Sequence, residues 1–416
     1  MKKITTSLLL LSIVLIFISC EKSTLDKENK LPEPMKIQLR GSEASMQKSD
    51  QAFAFDFFAK VFDEEQNDND ENFMVSPFSL SMALAMTWNG SAGDTKTAMQ
   101  NTLGFEDWAD EDVNKYFSKL KNAFQETDPS TKLSIANSIW TNQQVKIFPE
   151  FISLNKTYYN ATVESVDFTN SATVGRINKW AADNTNNLID KVLEKTKSDD
   201  LMYLLNAIYF KGIWVSEFDV KNTSKMNFTA DNGSQVKVDM MHQEANFNYA
   251  HDETMQVVEL PYGNKAFSMM VLLPKEDKNL EDVAQVLQQS DYWSNLKREL
   301  GNKKVDLFIP KFKTEYSKKL NDVLTDMGMG IAFEADKADF SRMSDRDAYI
   351  SFVTQDTYIA TDEVGTEAAA VTVVGIIETS APVTESVVFK ADKPFIYMIQ
   401  ENSSGSVLFM GAVKGF

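Results

Sequence analysis

Apolar and polar positions along the chain change period repeatedly, and each change marks an element. Leu80, Ala83, Leu84 and Thr87 recur at helical spacing. Ser76 before Pro77 supplies an N-cap with proline at the first helical position, and Asn89-Gly90 stops the run. Val174, Ile177, Ala181, Asn184 and Leu188 share one face of a second helix. Met202 to Phe210 is a nearly unbroken apolar run, long for a strand and suited to burial on both faces. Further strands are predicted at Gln256 to Leu260, Phe267 to Leu273, Val305 to Ile309, Tyr349 to Thr361, Phe395 to Gln400 and Ser406 to Val413. Helices and strands interleave, and no repeat or linker breaks the chain after about Ser49. This predicts one α+β domain with large sheets over residues 50–416.

The first residues follow a different pattern. Lys2 and Lys3 precede an apolar run from Leu8 to Ile18, which ends at Ser19-Cys20. A bilayer span needs about 20 apolar residues, so this shorter run reads as an export signal over residues 1–19. Phe17-Ile18-Ser19-Cys20 resembles a lipoprotein box, with Phe where Leu is usual in its first position. The resemblance implies lipid on Cys20, a membrane partner and a place in a bacterial cell envelope, with surface exposure one possible placement there. The other reading is an ordinary signal peptide cut nearby, which leaves Cys20 free. Cys20 is the only cysteine, so no intramolecular disulfide can form and no thiol nucleophile lies deeper in the fold. Residues 20–49 are polar, carry Pro32 and Pro34, and read as a flexible tether.

Charge and histidine content narrow the chemistry. The formal charge is -18, and removing residues 1–19 with their two lysines takes it to -20. Phosphate affinity rests on Lys and Arg displacing counterions, so nucleic acid is not an expected partner, and no basic block suggests a heparin site. His242 and His251 are the only histidines, and neither lies beside a Gly-x-Ser-x-Gly elbow. No His-Glu-x-x-His, phosphate loop or Gly-x-Gly-x-x-Gly occurs. Neither a metal, a cofactor nor enzymatic activity is expected, and both histidines are expected in surface or partly buried structural roles.

Residues 362–389 stand out against this charged background. From Val364 to Phe389 there is no Lys or Arg, and small residues give way to β-branched ones. Ala368-Ala369-Ala370 alone suits a short helix, but Gly365 before it and Thr372, Val373, Val374, Ile376 and Ile377 after it favour extended structure. In a strand, Thr366, Ala368, Ala370, Thr372, Val374 and Ile376 share one small or β-branched face, with Glu367 on the other. Such a segment can slip between existing strands over a packed core. The pattern equally allows a permanent strand or an ordinary apolar connector.

Glu363-Val364-Gly365-Thr366-Glu367-Ala368-Ala369-Ala370-Val371-Thr372 closely resembles the hinge of inhibitory serpins. Asn72 to Ser79 with Ala83-Leu84, Gly90 to Thr95, Asn206 to Trp214 and Val258 to Tyr262 follow in that family's order. So do Ile309 to Phe312, Ala338 to Ser341, Phe389 to Phe395 and Leu408 to Gly411. The resemblance spans about residues 50–416 and implies about nine helices around three β-sheets, with an exposed reactive centre loop. It also implies a suicide inhibitor of a serine or cysteine protease, expected as a monomer. The protease attacks one loop bond and forms an acyl-enzyme, and the cut loop enters the main sheet before deacylation. Fourteen residues from Thr366 to Thr379 span about 46 Å at ~3.3 Å each, so the tethered protease is dragged across the molecule.

By the same resemblance, Glu363, Gly365, Thr366, Glu367, Ala368, Ala369, Ala370 and Thr372 form the hinge. Ser76, Ser79, Asn206, Gln355 and Trp214 form a sheet-opening cluster. Gln355 departs from the family's usual histidine and implies a working cluster without that residue's pH response. Counting forward from Gly365 puts the scissile bond at Thr379-Ser380, whereas counting back from Pro394 gives Val383-Thr384. The forward count is preferred, because insertion is measured from the hinge. With no basic residue nearby, an elastase-like, subtilisin-like or broad-specificity target is expected. The alternatives are a non-inhibitory member that acts as a binding or carrier protein, and a surface lipoprotein enzyme, for which the two histidines offer little raw material.

Overall fold

The computed structural model describes residues 31–66, 72–198, 200–366 and 386–416. In chain order its α-helices are α1 (Ser42–Glu65), α2 (Pro77–Trp88), α3 (Gly93–Leu103), α4 (Asp110–Glu126), α5 (Pro149–Tyr159), α6 (Ala172–Asn184), α7 (Leu280–Leu287), α8 (Tyr292–Arg298) and α9 (Asn321–Leu324). The strands are β1 (Phe73–Val75), β2 (Lys132–Asn142), β3 (Thr162–Val166), β4 (Met202–Ile213), β5 (Ser224–Thr229), β6 (Gln235–His251), β7 (Met255–Pro261) and β8 (Phe267–Pro274). They continue with β9 (Gly301–Pro310), β10 (Phe312–Lys319), β11 (Phe352–Thr361), β12 (Gly365–Thr366), β13 (Val387–Lys390), β14 (Phe395–Glu401) and β15 (Val407–Val413).

One sheet has the order β10-β11-β12-β4-β2-β3, and a nine-stranded assembly holds the rest. That assembly runs through β6, which pairs with β5 at its start, β9 along its middle and β7 at its end. Two blocks of strands, which the expectation of three sheets counts separately, therefore share one continuous ladder. The α+β expectation holds, with helices α1 to α9 packed around these sheets.

The strands predicted from apolar runs all form, and β4 is buried at every position from Met202 to Phe210. Three local expectations are corrected. Helix α1 begins at Ser42 and buries Met46, so the tether expected over residues 20–49 gives way to packed structure before Ser49. Leu188 lies beyond the end of α6 at Asn184 and does not share its face. Ser76 occupies the N-cap position of α2, but its hydroxyl makes no cap; it donates instead to Leu408 O at 2.6 Å. Helix α2 is buried all round rather than along one stripe, so its polar ends must find partners in neighbouring strands.

Candidate functional site

The main sheet is closed at one end and parted at the other. Strands β4 and β11 pair in parallel from Phe352↔Tyr203 to Asp356↔Ala207. Farther along, β12 stands between them, with Thr366 opposite both Thr361 and Gly212. The hinge thus already supplies the first rungs of an inner strand.

A row of buried amides crosses the closed part. Asn137 of β2 and Gln355 of β11 are the register partners of Asn206 on β4. Gln355 Nε2 donates to Asn206 Oδ1 at 2.8 Å and to Ser76 O at 2.9 Å, while Ser76 N donates to Gln355 Oε1 at 2.8 Å. Asn206 Nδ2 donates to Asn137 Oδ1 at 2.6 Å and also to Ser79 Oγ. Ser76, Ser79, Asn206 and Gln355, grouped by the family resemblance, are therefore in hydrogen-bond contact. Asn137 was missed, although an amide at the position of Leu133, Ile135 and Ile139 in an alternating run was the available signal.

The hinge is held by different contacts. Asp362 Oδ1 accepts from Val364 N and Gly365 N and closes the turn that brings the chain back against β11. Glu363 is buried, with Lys311 Nζ at 2.6 Å and a hydrogen bond from Thr223 Oγ1 at 2.8 Å. Burial pushes its carboxyl up, but hydrogen bonds from Lys311 and Thr223 outweigh this and hold it below the ordinary glutamate range. A Cβ on Gly365 would stand 2.1 Å from Gly212 O, so only glycine permits this approach to β4. Thr366 is fully buried, with its hydroxyl 2.6 Å from that of Tyr262.

Trp214 belongs to this end rather than to the amide row. It stacks on Tyr262 with centroids 4.4 Å apart and donates from its indole to Asp362 O at 2.9 Å. Lys311, Thr223 and Tyr262 were not singled out as site residues, because only the tertiary fold brings them to the hinge. Glu367, Ala368, Ala369, Ala370, Thr372, Thr379, Ser380, Val383, Thr384 and Cys20 lie outside the described residues. His242 is half-buried, stacked on Phe308 and 2.7 Å from Asp306 Oδ1; His251 is exposed at the end of β6.

A match to the family described as serpin (serine protease inhibitor) runs over residues 48–415. The chain belongs to the serpin family. A leukocyte elastase inhibitor of Xenopus laevis is 35% identical to this serpin over 379 residues, covering 86% of this chain and 96% of that protein. The thermophilic serpin tengpin in its native state superposes with a TM-score of 0.83 at 33% identity, covering 93% of this chain and 97% of its own. Thyroxine-binding globulin in complex with thyroxine superposes at 0.80 and 29% identity, covering 89% of this chain and 99% of its own. Serpins with quite different described roles thus share this fold, and the seam between β4 and β11 must be judged on its own chemistry.

Proposed function

We propose that this serpin is a suicide inhibitor of serine proteases, with cysteine proteases a second target class, and that it traps the acyl-enzyme by drawing its cut loop between β4 and β11. The observation that carries this reading is the register. From the rung Asp356↔Ala207 to the rung Thr361–Thr366–Gly212, β11 and β4 each advance by the same five residues. An inner strand can therefore lengthen from Thr366 without either neighbour sliding. Continued at that register, Thr372 comes opposite Gln355 and Asn206, and Gly375 comes opposite Phe352 and Tyr203.

Thr366 to Gly375 fills about 30 Å at ~3.3 Å per residue. Thr366, Ala368, Ala370, Thr372 and Val374 share the face on which Thr366 is buried, and none of them carries a charge. Such a strand exchanges open backbone for ladder hydrogen bonds without burying a charge there. Thr379 and Val383 both fall beyond the last rung, which leaves an acyl-linked protease outside the end of the sheet, and the forward count from the hinge favours Thr379-Ser380 over Val383-Thr384 as the scissile bond. The apolar and small residues around it favour an elastase-like, subtilisin-like or broad-specificity target. Export and lipid anchoring through Cys20 would hold the inhibitor at a bacterial envelope; mass spectrometry of the membrane-extracted protein tests this by the mass added at Cys20.

Incubation with an elastase should give a complex that survives SDS, a released fragment beginning at Ser380, and a cleaved protein that melts well above the intact one. Cleaved protein alone at every ratio, with no complex, would reject inhibition. Thyroxine-binding globulin shows that the fold also serves a ligand-bound member, and an unchanged melting temperature after loop cleavage would favour a carrier role instead.

A further inference from the structure

Asp356 occupies the last rung at which β4 and β11 touch directly, facing Ala207 on one side and Ser317 of β10 on the other. The residue is only 4% exposed, and its Oδ2 has no hydrogen-bond partner. Beside it lies a cavity of about 230 Å³, walled by residues 188–191 after α6, Glu315 to Ser317 of β10 and Asp356 to Tyr358 of β11. The charged groups facing this cavity do not neutralise the carboxyl. Lys191 is paired with Glu194 at 2.9 Å and Glu315 with Lys313 at 2.6 Å, while Asp190 adds a second acid. Tyr358 lies under Lys313, and β4 contributes only Ala207 to the rung. Among the described residues no cation is paired with Asp356.

A closed rung therefore confines an ionised oxygen with no hydrogen-bond partner and no paired cation, which is costly. Parting β4 from β11 beneath the 188–191 cover admits water to that oxygen. We propose that Asp356 is a proton-operated latch on the seam: ionised, it favours separation of its rung, and protonated, it holds β4 and β11 together. The inference rests on strand insertion as the function of the seam. Burial raises the Asp356 carboxyl to about 6, outweighing the lowering influence of the neighbouring Ser317 and Thr354 hydroxyls. For a carboxyl that returns to its ordinary value of 3.8 once hydrated, linkage predicts that opening is about tenfold more favourable at pH 7.5 than at pH 5.

The test is entry of a synthetic peptide with the sequence of residues 366–377 into the intact full-length protein, followed by native electrophoresis between pH 5 and 8. The wild type should take up peptide about tenfold faster at pH 7.5 than at pH 5. Asp356→Asn should be slow and flat across this range, and Asp356→Ser gives the same expectation if the asparagine variant fails to fold. Asp50→Asn, which alters another buried carboxyl with a raised pKa, should keep the wild-type profile. A wild-type rate independent of pH, or an Asp356→Asn rate that keeps the wild-type pH dependence, overturns the latch. Failure of the peptide to enter at any pH overturns strand insertion as well. A ¹³C titration of the Asp356 carboxyl gives a readout independent of the variants: a midpoint near 6 supports the latch, and one near 4 refutes it.

Discussion

Replacing Thr372 by valine should weaken the cleaved protein and leave the intact one unchanged. In the intact sheet, Gln355 Nε2 bonds Asn206 Oδ1 at 2.8 Å because β4 and β11 are adjacent there. An inserted strand moves those backbones from about 4.8 Å to about 9.6 Å apart, and the direct bond is lost. Both side chains are buried, so a donor and an acceptor would be left without partners, at about 1–3 kcal/mol each. Thr372 arrives on that rung and that face with a hydroxyl, which can accept from Gln355 and donate to Asn206. Valine keeps the shape and removes the hydroxyl, so the inserted state should lose about 2 kcal/mol. For a domain of this size that corresponds to a fall of about 2–3 °C in the melting temperature. Calorimetry of intact and loop-cleaved protein, in enough guanidinium to bring the cleaved transition into range, measures the difference directly. Equal melting of cleaved wild type and Thr372→Val, or an equal fall in both the intact and cleaved forms, would refute the register reasoning.

The remaining predictions concern the intact protein. Glu363→Gln removes the charge facing Lys311 and should lower intact stability by about 1–2 kcal/mol, because Lys311 remains partly solvated; urea unfolding checks this. The Glu363 carboxyl is held low in the fold, so its contribution is present at neutral pH and is lost as the pH falls through and below the ordinary glutamate range. A Glu363→Gln deficit as large at pH 3 as at pH 7 would contradict that assignment. Gly365→Ala cannot fit against Gly212 O, so the hinge should leave β12 and the Trp214 fluorescence should change; an unaltered spectrum and melting temperature would show the approach to be looser than described. Asp50 is pushed up to about 7 by burial, which outweighs the lowering influence of the nearby Ser81 hydroxyl. Its raised value means that protonation stabilises the fold: the gain is complete below about pH 4 and is lost as the pH rises through 7. Asp50→Asn should therefore stabilise the protein at pH 8 by about 2–4 kcal/mol and flatten stability between pH 6 and 8, as denaturant titrations at each pH would show.

The parts legible in the sequence are those whose physics is local. Met202 to Phe210 could be read as a doubly buried strand because no polar period interrupts it except at Asn206, and Asn206 carries the amide row. Helix α1 escaped a pattern reading because Phe53, Phe55, Phe57, Phe58 and Phe62 all pack inward, so its buried positions do not fall on one stripe. Strand β6 escaped for the opposite reason. Asp239, Glu244, Asn246 and Asn248 keep its mean polarity high, and its order comes from pairing with three other strands. At the hinge, the resemblance located Glu363, but its partners Lys311 and Thr223 are far from it in sequence and only the folded chain reveals them.

The amide row also accounts physically for a glutamine at the position where the family usually has histidine. A seam that must part and reclose needs side chains that can exchange one partner for another without burying a net charge. Gln355 and Asn206 are neutral, each can both donate and accept, and each already bonds outside the seam, to Ser76 and to Asn137. Only the single bond between them must be exchanged when a strand passes, and one hydroxyl suffices to replace it. A histidine there would tie the exchange to its own protonation. With glutamine, the row titrates at no physiological pH, and any acid response of the seam passes to the next residue, Asp356. Division of these tasks between adjacent positions on β11 means that Gln355→His should add a second pH-dependent step to peptide entry, separable from that of Asp356 in the double variant with Asp356→Asn. A single titration unaltered by Gln355→His would show that the row does not control how the sheet parts.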